Sequence, residues 1–542
     1  MKMKLTFELI SWHKIDSSHR LMTLIVITLG LLNLFFGEKV PAGNGLGWDG
    51  VTYAYMVRHL DSIIPTGELS PYYAHRILAP AIVHGMLKIS GAAFTDFNII
   101  RAFEIYNLIL LIIATRIWKR IADVSSLSLT GRWLGFAGLF LSFMGSKLVF
   151  YYPVLTDVTA LFLGLLSLQL YLEKRTIPLF FTSLVGAFAW PLVSICGAIL
   201  LIFMWSKPST NVIVPQSSRF LINRPKFWRL LLFGWIVLLV LSISGFLILS
   251  SAESYFGVTK LAGINISIWK RGLTGLPSLT GVFIGLAILV GSALYFQSMI
   301  ADLRNTRLLS WVLAILIFLI PSIIFYKIQS AYIPGGPISN PGNLTLRGTL
   351  SLLLIAGQPG KFLLPFVSLV VFWGPVVLLL LLTWKTFCCQ ARALGAGFVG
   401  VVALILPLGL ATEPRFITFA WPFFVLGAAL ALESTEKTIT FKYAFVVLVI
   451  LYGQFWMKLN LAPWTGDDYE LLLEYPKQIY FMHVGMRMNW WSYSLQFIAV
   501  ILSALWLRKT INTAPGIMTS NLRSMTMART VGSPSTPVQG GV

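Results

Sequence analysis

Residues 75–90 read His75-Arg76-Ile77-Leu78-Ala79-Pro80-Ala81-Ile82-Val83-His84-Gly85-Met86-Leu87-Lys88-Ile89-Ser90. The side on which every later loop falls depends on them. Read as a membrane span, they put Arg116, Lys119, Arg120 and Arg132 outside. Read as a helix in the interface or a re-entrant piece, they leave those four inside, where the positive-inside rule places them. The stretch carries His75, Arg76, His84 and Lys88 and falls short of the roughly 20 apolar residues a span needs. It is therefore expected to lie in the interface.

Outward from this stretch the chain is almost wholly apolar. It has 542 residues, of which 57% are hydrophobic and 11% charged, with a mean hydropathy of +0.80. Soluble domains carry about 25% charged residues. Continuous apolar runs, rather than alternating ten-residue segments, predict an all-α polytopic bundle and not a closed barrel. The net charge of +21 sits in short loops between runs, which points to headgroups and phosphates and excludes nucleic acid. Three cysteines supply no disulfide framework. Cys388 and Cys389, adjacent at the end of a run, leave palmitoylation open.

The basic segment 1–20 is expected in the cytoplasm, followed by an uncleaved first span at 21–36. Residues 37–96 form a first external loop. Further spans are expected near 99–117, 133–151, 154–172, 230–250, 279–299, 308–326, 361–384, 396–412, 415–432, 441–457 and 491–507. The run 177–205 is interrupted by Ala189-Trp190-Pro191, where proline removes a donor and clashes with the preceding turn. Its flanking charges fit a broken hairpin that enters and returns on one side. The whole is about twelve spans plus that hairpin, over 21–510. The tail 511–542 is rich in Ser, Thr, Pro and Gly and reads as disordered.

The groups able to do chemistry gather in the outer loops. Asp49, within Gly47-Trp48-Asp49-Gly50-Val51-Thr52-Tyr53, is a carboxylate at an apolar mouth. It can take a proton from an attacking hydroxyl or stabilise developing charge on a sugar ring. It can equally be a solvated loop aspartate or a helix cap. His75 and Arg76 suit phosphate recognition or simple interfacial anchoring. Asp157, after Tyr152-Pro153, opens a span, either as a bundle-facing acid or as a charge that complements the helix dipole. Glu413-Pro414-Arg415 is a tight outer turn whose charges either pair or bind an anion. Lys361, Arg487 and the Trp490-Trp491 pair also fall outside. Asp467-Asp468 could ligate a divalent cation, though loop aspartates are ordinarily solvated. Asn265-Ile266-Ser267 and Asn343-Leu344-Thr345 match the glycosylation pattern. No phosphate-binding glycine loop, H-E-x-x-H or C-x-x-C motif occurs.

Trp48-Asp49-Gly50 with Tyr53, then Tyr73-Ala74-His75-Arg76-Ile77-Leu78-Ala79-Pro80, then Tyr152-Pro153 and Asp157 resemble the GT-C superfamily of integral membrane glycosyltransferases. The likeness is strongest to the D-G-x-x-Y and R-x-L-x-P patterns of bacterial relatives and the GPI-anchor mannosyltransferase group. It covers the first 175 residues and is architectural beyond them. The resemblance implies a sugar donor on polyprenyl or dolichyl phosphate, Asp49 as catalytic base, and inverting transfer to a hydroxyl of a glycan, lipid or protein acceptor. Tyr53, His75, Arg76, Asp157, Glu413 and Arg415 become candidates for holding substrate and phosphate. Asp49 is followed by Gly50, so the adjacent acidic pair of the diacidic subfamilies is missing. No cofactor is required, although a divalent metal is allowed. The implied location is an integral membrane, the bacterial inner membrane before that of the ER. The competing readings are a lipid-linked oligosaccharide flippase or polymerase, which deep cation-lined cavities would favour, and a non-catalytic membrane scaffold.

Overall fold

A computed structural model describes residues 17–205, 225–261, 264–267, 270, 273, 306–331, 363–410, 413–433, 436–437, 439–460 and 490–512. The expected span 279–299, residues 1–16, the tail from 513, and Asn343, Lys361, Asp467, Asp468 and Arg487 lie outside the described residues.

The described chain is all-α apart from two antiparallel two-residue ladders, Lys260–Leu261 with Ile264–Asn265 and Glu436–Lys437 with Ile511–Asn512. By length and apolarity, four described helices can cross a membrane, at Ser17–Phe36, Asp96–Val124, Leu232–Phe256 and Leu308–Ile328. The number reaches six if two bent pairs count as one span each, Leu129–Phe140 with Met144–Tyr151 and Pro375–Leu382 with Trp384–Leu394. The expectation of about twelve is thus met only in part. Asp157–Leu172, Ala396–Ile405, Trp421–Glu433 and Ile439–Gly453 fall where spans were expected but are apolar helices of 10–17 residues. At 1.5 Å per residue they reach about 15–25 Å, short of a hydrocarbon core of about 30 Å.

Leu78–Ser90 is a 13-residue helix. It lies beside Trp48–Thr66 in the same direction. His84 Nδ1 meets the Val57 carbonyl at 2.7 Å, and Lys88 donates to Asp61 at 2.8 Å. Its length, about 20 Å, falls short of a hydrocarbon core of about 30 Å. The charges expected on the inner side also gather at one end of the bundle. Arg120 pairs with Glu173, and Arg132 and Lys119 pair with Asp123. Glu433 accepts from the Ser128 hydroxyl at 2.6 Å.

The run 177–205 divides at Trp190 into Thr176–Gly186 and Pro191–Ile202, which pack on each other. Proline at the first helical position starts the second helix without losing a hydrogen bond. The tip of this hairpin reaches the segment around His75 and Leu78. The Phe188 carbonyl accepts from Leu78 N at 2.8 Å, and the Ala187 carbonyl lies 3.2 Å from His75 Nδ1.

One polar cluster inside the bundle was not anticipated. Glu104, fully buried on helix Asp96–Val124, binds Lys39 at 2.5 Å and Arg101 at 3.0 Å. Glu38 beside it accepts from Lys147 at 2.9 Å and from the amides of Leu459 and Asn460. Burial pushes the Glu38 carboxyl up, but the two amides and Lys147 outweigh it and hold the group below its ordinary value of 4.5. A depressed folded-state value stabilises above the unfolded value, and that stabilisation is lost as pH falls through the folded one. Hydrogen exchange at the Leu459 and Asn460 amides is therefore expected to stay slow above about pH 4.5 and to accelerate below it. Glu38→Gln should remove most of that pH dependence.

Candidate functional site

The site begins at Gly47. This residue sits at φ +76° and ψ −177°, a region open almost only to glycine. A Cβ there would lie 2.2 Å from the Tyr152 ring. Helix Trp48–Thr66 therefore starts directly against Tyr152, whose hydroxyl accepts from Gly50 N at 3.2 Å. Asp49 falls in the first turn, where the helix dipole favours a carboxylate. Gly47→Ala is expected to cost about 1–3 kcal/mol from the backbone alone, with the ring clash added. A lowered thermal midpoint in detergent would register it.

Opposite Asp49 stands the turn of Glu413-Pro414-Arg415. Arg415 donates from Nη2 to Asp49 Oδ2 at 3.1 Å and from Nε to Glu413 Oε1 at 2.9 Å. The turn is held from beneath. Trp373 Nε1 donates to the Pro414 carbonyl at 3.0 Å, and the Trp373 ring stacks on Trp421 at 4.7 Å. A few residues on, the Phe419 carbonyl lies where a Cβ on Gly164 would meet it at 1.9 Å. The glycine thus lets helix Asp157–Leu172 approach the segment that carries Arg415.

Arg76 completes the cluster. Ser70 caps the short helix Pro71–Ala74 by accepting from Tyr73 N at 3.4 Å. The chain then delivers Arg76 against two rings, with its guanidinium carbon 3.9 Å from the Tyr72 centroid and 4.9 Å from that of Trp190. Arg76 is 3% exposed, and its Nη1 makes no hydrogen bond among the described residues. Asp49 and the phenols of Tyr53 and Tyr72 act on its charge, so it stays firmly protonated despite its burial. Burial, reinforced by the negative charge of Asp49, pushes the Tyr72 phenol up to about 12. Asp157, 3% exposed, lies within electrostatic reach of Arg415, Arg76, Asp49 and Glu413.

Six of the seven residues singled out from sequence thus converge: Asp49, Tyr53, Arg76, Asp157, Glu413 and Arg415. His75 does not face the cluster. Its ring packs on Phe325 with centroids 4.1 Å apart, and its Nδ1 engages the Ala187 carbonyl. Burial pushes the imidazole below its ordinary value, which favours its neutral form. Three aromatic residues were not given roles from the sequence. Tyr72 and Trp190 flank Arg76, and Tyr152 floors Asp49. Trp190 was signalled only by the proline that follows it. No group of three or more His, Cys, Asp or Glu suited to a metal occurs among the described residues.

The arrangement presents two carboxylates paired through one guanidinium, beside a second guanidinium whose Nη1 has no partner among the described residues. It can take a proton at Asp49 and bind an anion at Arg76. Set against known proteins, the chain matches no family model, no curated protein and no solved structure.

Proposed function

We propose that the chain is a membrane glycosyltransferase that moves a sugar from a polyprenyl- or dolichyl-phosphate donor to an acceptor hydroxyl on the external face. The observation that carries this reading is Arg76: a buried guanidinium flanked by Tyr72 and Trp190, whose Nη1 meets no hydrogen-bond partner among the described residues. It stands in the same cluster as the Asp49–Arg415 pair. A planar guanidinium suits a phosphate geometrically and electrostatically, and a donor left unused in a buried site is costly unless a ligand takes it.

In the proposed reaction the acceptor oxygen attacks the anomeric carbon from the side opposite the phosphate. The bond from that carbon to the phosphate oxygen breaks, and its electron pair leaves with the lipid phosphate. The configuration inverts. Asp49 accepts the hydroxyl proton. Arg76 stabilises the charge that develops on the leaving group. Arg415 uses two of its five N–H donors on Asp49 and Glu413, so it orients the base and can still contribute to the phosphate. Glu413 fixes Arg415, and the buried Tyr53 and Asp157 act on the charges of Arg76 and Arg415.

The test is transfer of a labelled sugar from polyprenyl-phosphate donors by purified protein in proteoliposomes, with Asp49→Asn alongside. Transfer by the wild type and its loss in the variant would support the reading. Donor binding with no transfer from any donor would sink it in favour of a flippase or a scaffold.

A further inference from the structure

A cavity of about 10 Å³ is lined by residues that include Asn107, Met144, Tyr152 and Asp157. Its walls are otherwise mostly apolar, yet two buried oxygens in its lining, Asn107 Oδ1 and Asp157 Oδ1, have no hydrogen-bond partner among the described residues. Asn107 is 1% exposed and Asp157 is 3% exposed. The orientation of the Asn107 amide is determined by its surroundings. Its Nδ2 donates to the Val149 carbonyl at 3.2 Å and to the Pro153 carbonyl at 3.0 Å, and a flipped amide would set oxygen against both. The oxygen is therefore the end left over.

Two orphaned acceptors lining one cavity require something that donates twice. A cavity of this size takes about one water molecule, and water has two donors to give. Ca²⁺ and Mg²⁺ take about six or more oxygen ligands, and the mostly apolar lining does not offer them. Arg415 and Arg76 also act on Asp157 and oppose a further positive charge there. Leaving both oxygens unsatisfied would forfeit their hydration with nothing in return.

We infer that this cavity is a built site for a single buried water, which bridges Asn107 Oδ1 and Asp157 Oδ1 and makes Asn107 a positioning residue for Asp157. The bridge anchors the carboxylate to helix Asp96–Val124 without drawing on an N–H of Arg76 or Arg415. Both guanidiniums keep their donors for Asp49, Glu413 and an incoming anion. The inference rests on the cavity and its lining, and it stands whether or not the chain transfers sugar.

The experiment is radiolytic footprinting of the full-length protein in nanodiscs in ¹⁸O-labelled water, with a high-resolution density map of the wild type alongside. Met144 and Tyr152 are buried from bulk solvent and should be labelled only by a water held next to them. The expected result is labelling of both in the wild type, a several-fold loss in Asn107→Leu, and a density peak within hydrogen-bond distance of both oxygens. Absence of label and peak in the wild type would overturn the site. A peak coordinated by four or more oxygens at cation distances would overturn the assignment to water. Labelling that persists unchanged in a folded Asn107→Leu protein would remove the positioning role. Should that variant fail to fold, the wild-type map and labelling decide alone.

Discussion

Asparagine in place of Asp49 is expected to slow sugar transfer about 10²–10⁴-fold, the range a positioned general base contributes, and to leave donor affinity within a few-fold of wild type. The substitution changes little else. Asparagine keeps the size of aspartate, and its Oδ1 can still accept from Arg415 Nη2, which now donates to Asp49 Oδ2 at 3.1 Å. It cannot take a proton from an attacking hydroxyl. Phosphate binding should persist because Arg76, held against Tyr72 and Trp190, is untouched. Single-turnover transfer and equilibrium binding of the same donor separate the two effects, since a residue that acts only in the transition state lowers the rate and spares ground-state binding. The competing account of Asp49 makes the opposite forecast. A carboxylate that merely complements the dipole of helix Trp48–Thr66 contributes about 0.3–1 kcal/mol of stability, and its loss would leave transfer near the wild-type rate.

The sequence exposes the members of this site more readily than their partnerships. In a chain with 11% charged residues, Asp49, Arg76, Asp157, Glu413 and Arg415 stand out because each charge near an apolar run has to be accounted for. Local spacing also indicates the Glu413–Arg415 pairing. The pairing of Arg415 with Asp49, 366 residues away, leaves no local trace. It depends on Trp373 holding Pro414 and on Gly164 admitting the backbone of Phe419. The adjacency of His75 to Arg76 suggests a shared task, whereas the turn after Pro71–Ala74 sends the imidazole to Phe325. Glu104, a charge within the expected span 99–117, was passed over, and its pairing with Lys39 is visible only in the fold. The span count fared less well for a related reason. Hydropathy marks where apolar helices lie, but at Gly374, Thr383 and Gly395 the chain leaves helical geometry between short helices, and hydropathy does not register those breaks.

Arg415→Met is expected to destabilise the protein strongly, and the pattern of rescue should show why. The guanidinium is 15% exposed, and its partners Glu413 and Asp49 are 13% and 23% exposed. Asp157, more deeply buried, also feels its charge. Methionine keeps much of the apolar stem but leaves these carboxylates facing one another without their shared cation. Breaking a buried pair from one side costs about 3–5 kcal/mol, and the partial exposure of Asp49 puts the expectation at the lower end. Neutralising the stranded acids should recover most of the loss. Arg415→Met combined with Asp49→Asn and Glu413→Gln is therefore expected to melt well above Arg415→Met alone, a non-additivity that residues in one network should show. Apparent unfolding midpoints in detergent at one fixed scan rate would measure it, since unfolding of such a chain is ordinarily irreversible. A triple variant as unstable as the single one would move the cause from charge to the packing of the turn, which Trp373 and Thr418 hold through the Pro414 and Arg415 carbonyls. Recovery of stability without recovery of transfer would separate the two roles of Arg415: as a counter-ion it can be replaced by removing the acids it serves, whereas as the group that orients Asp49 it cannot.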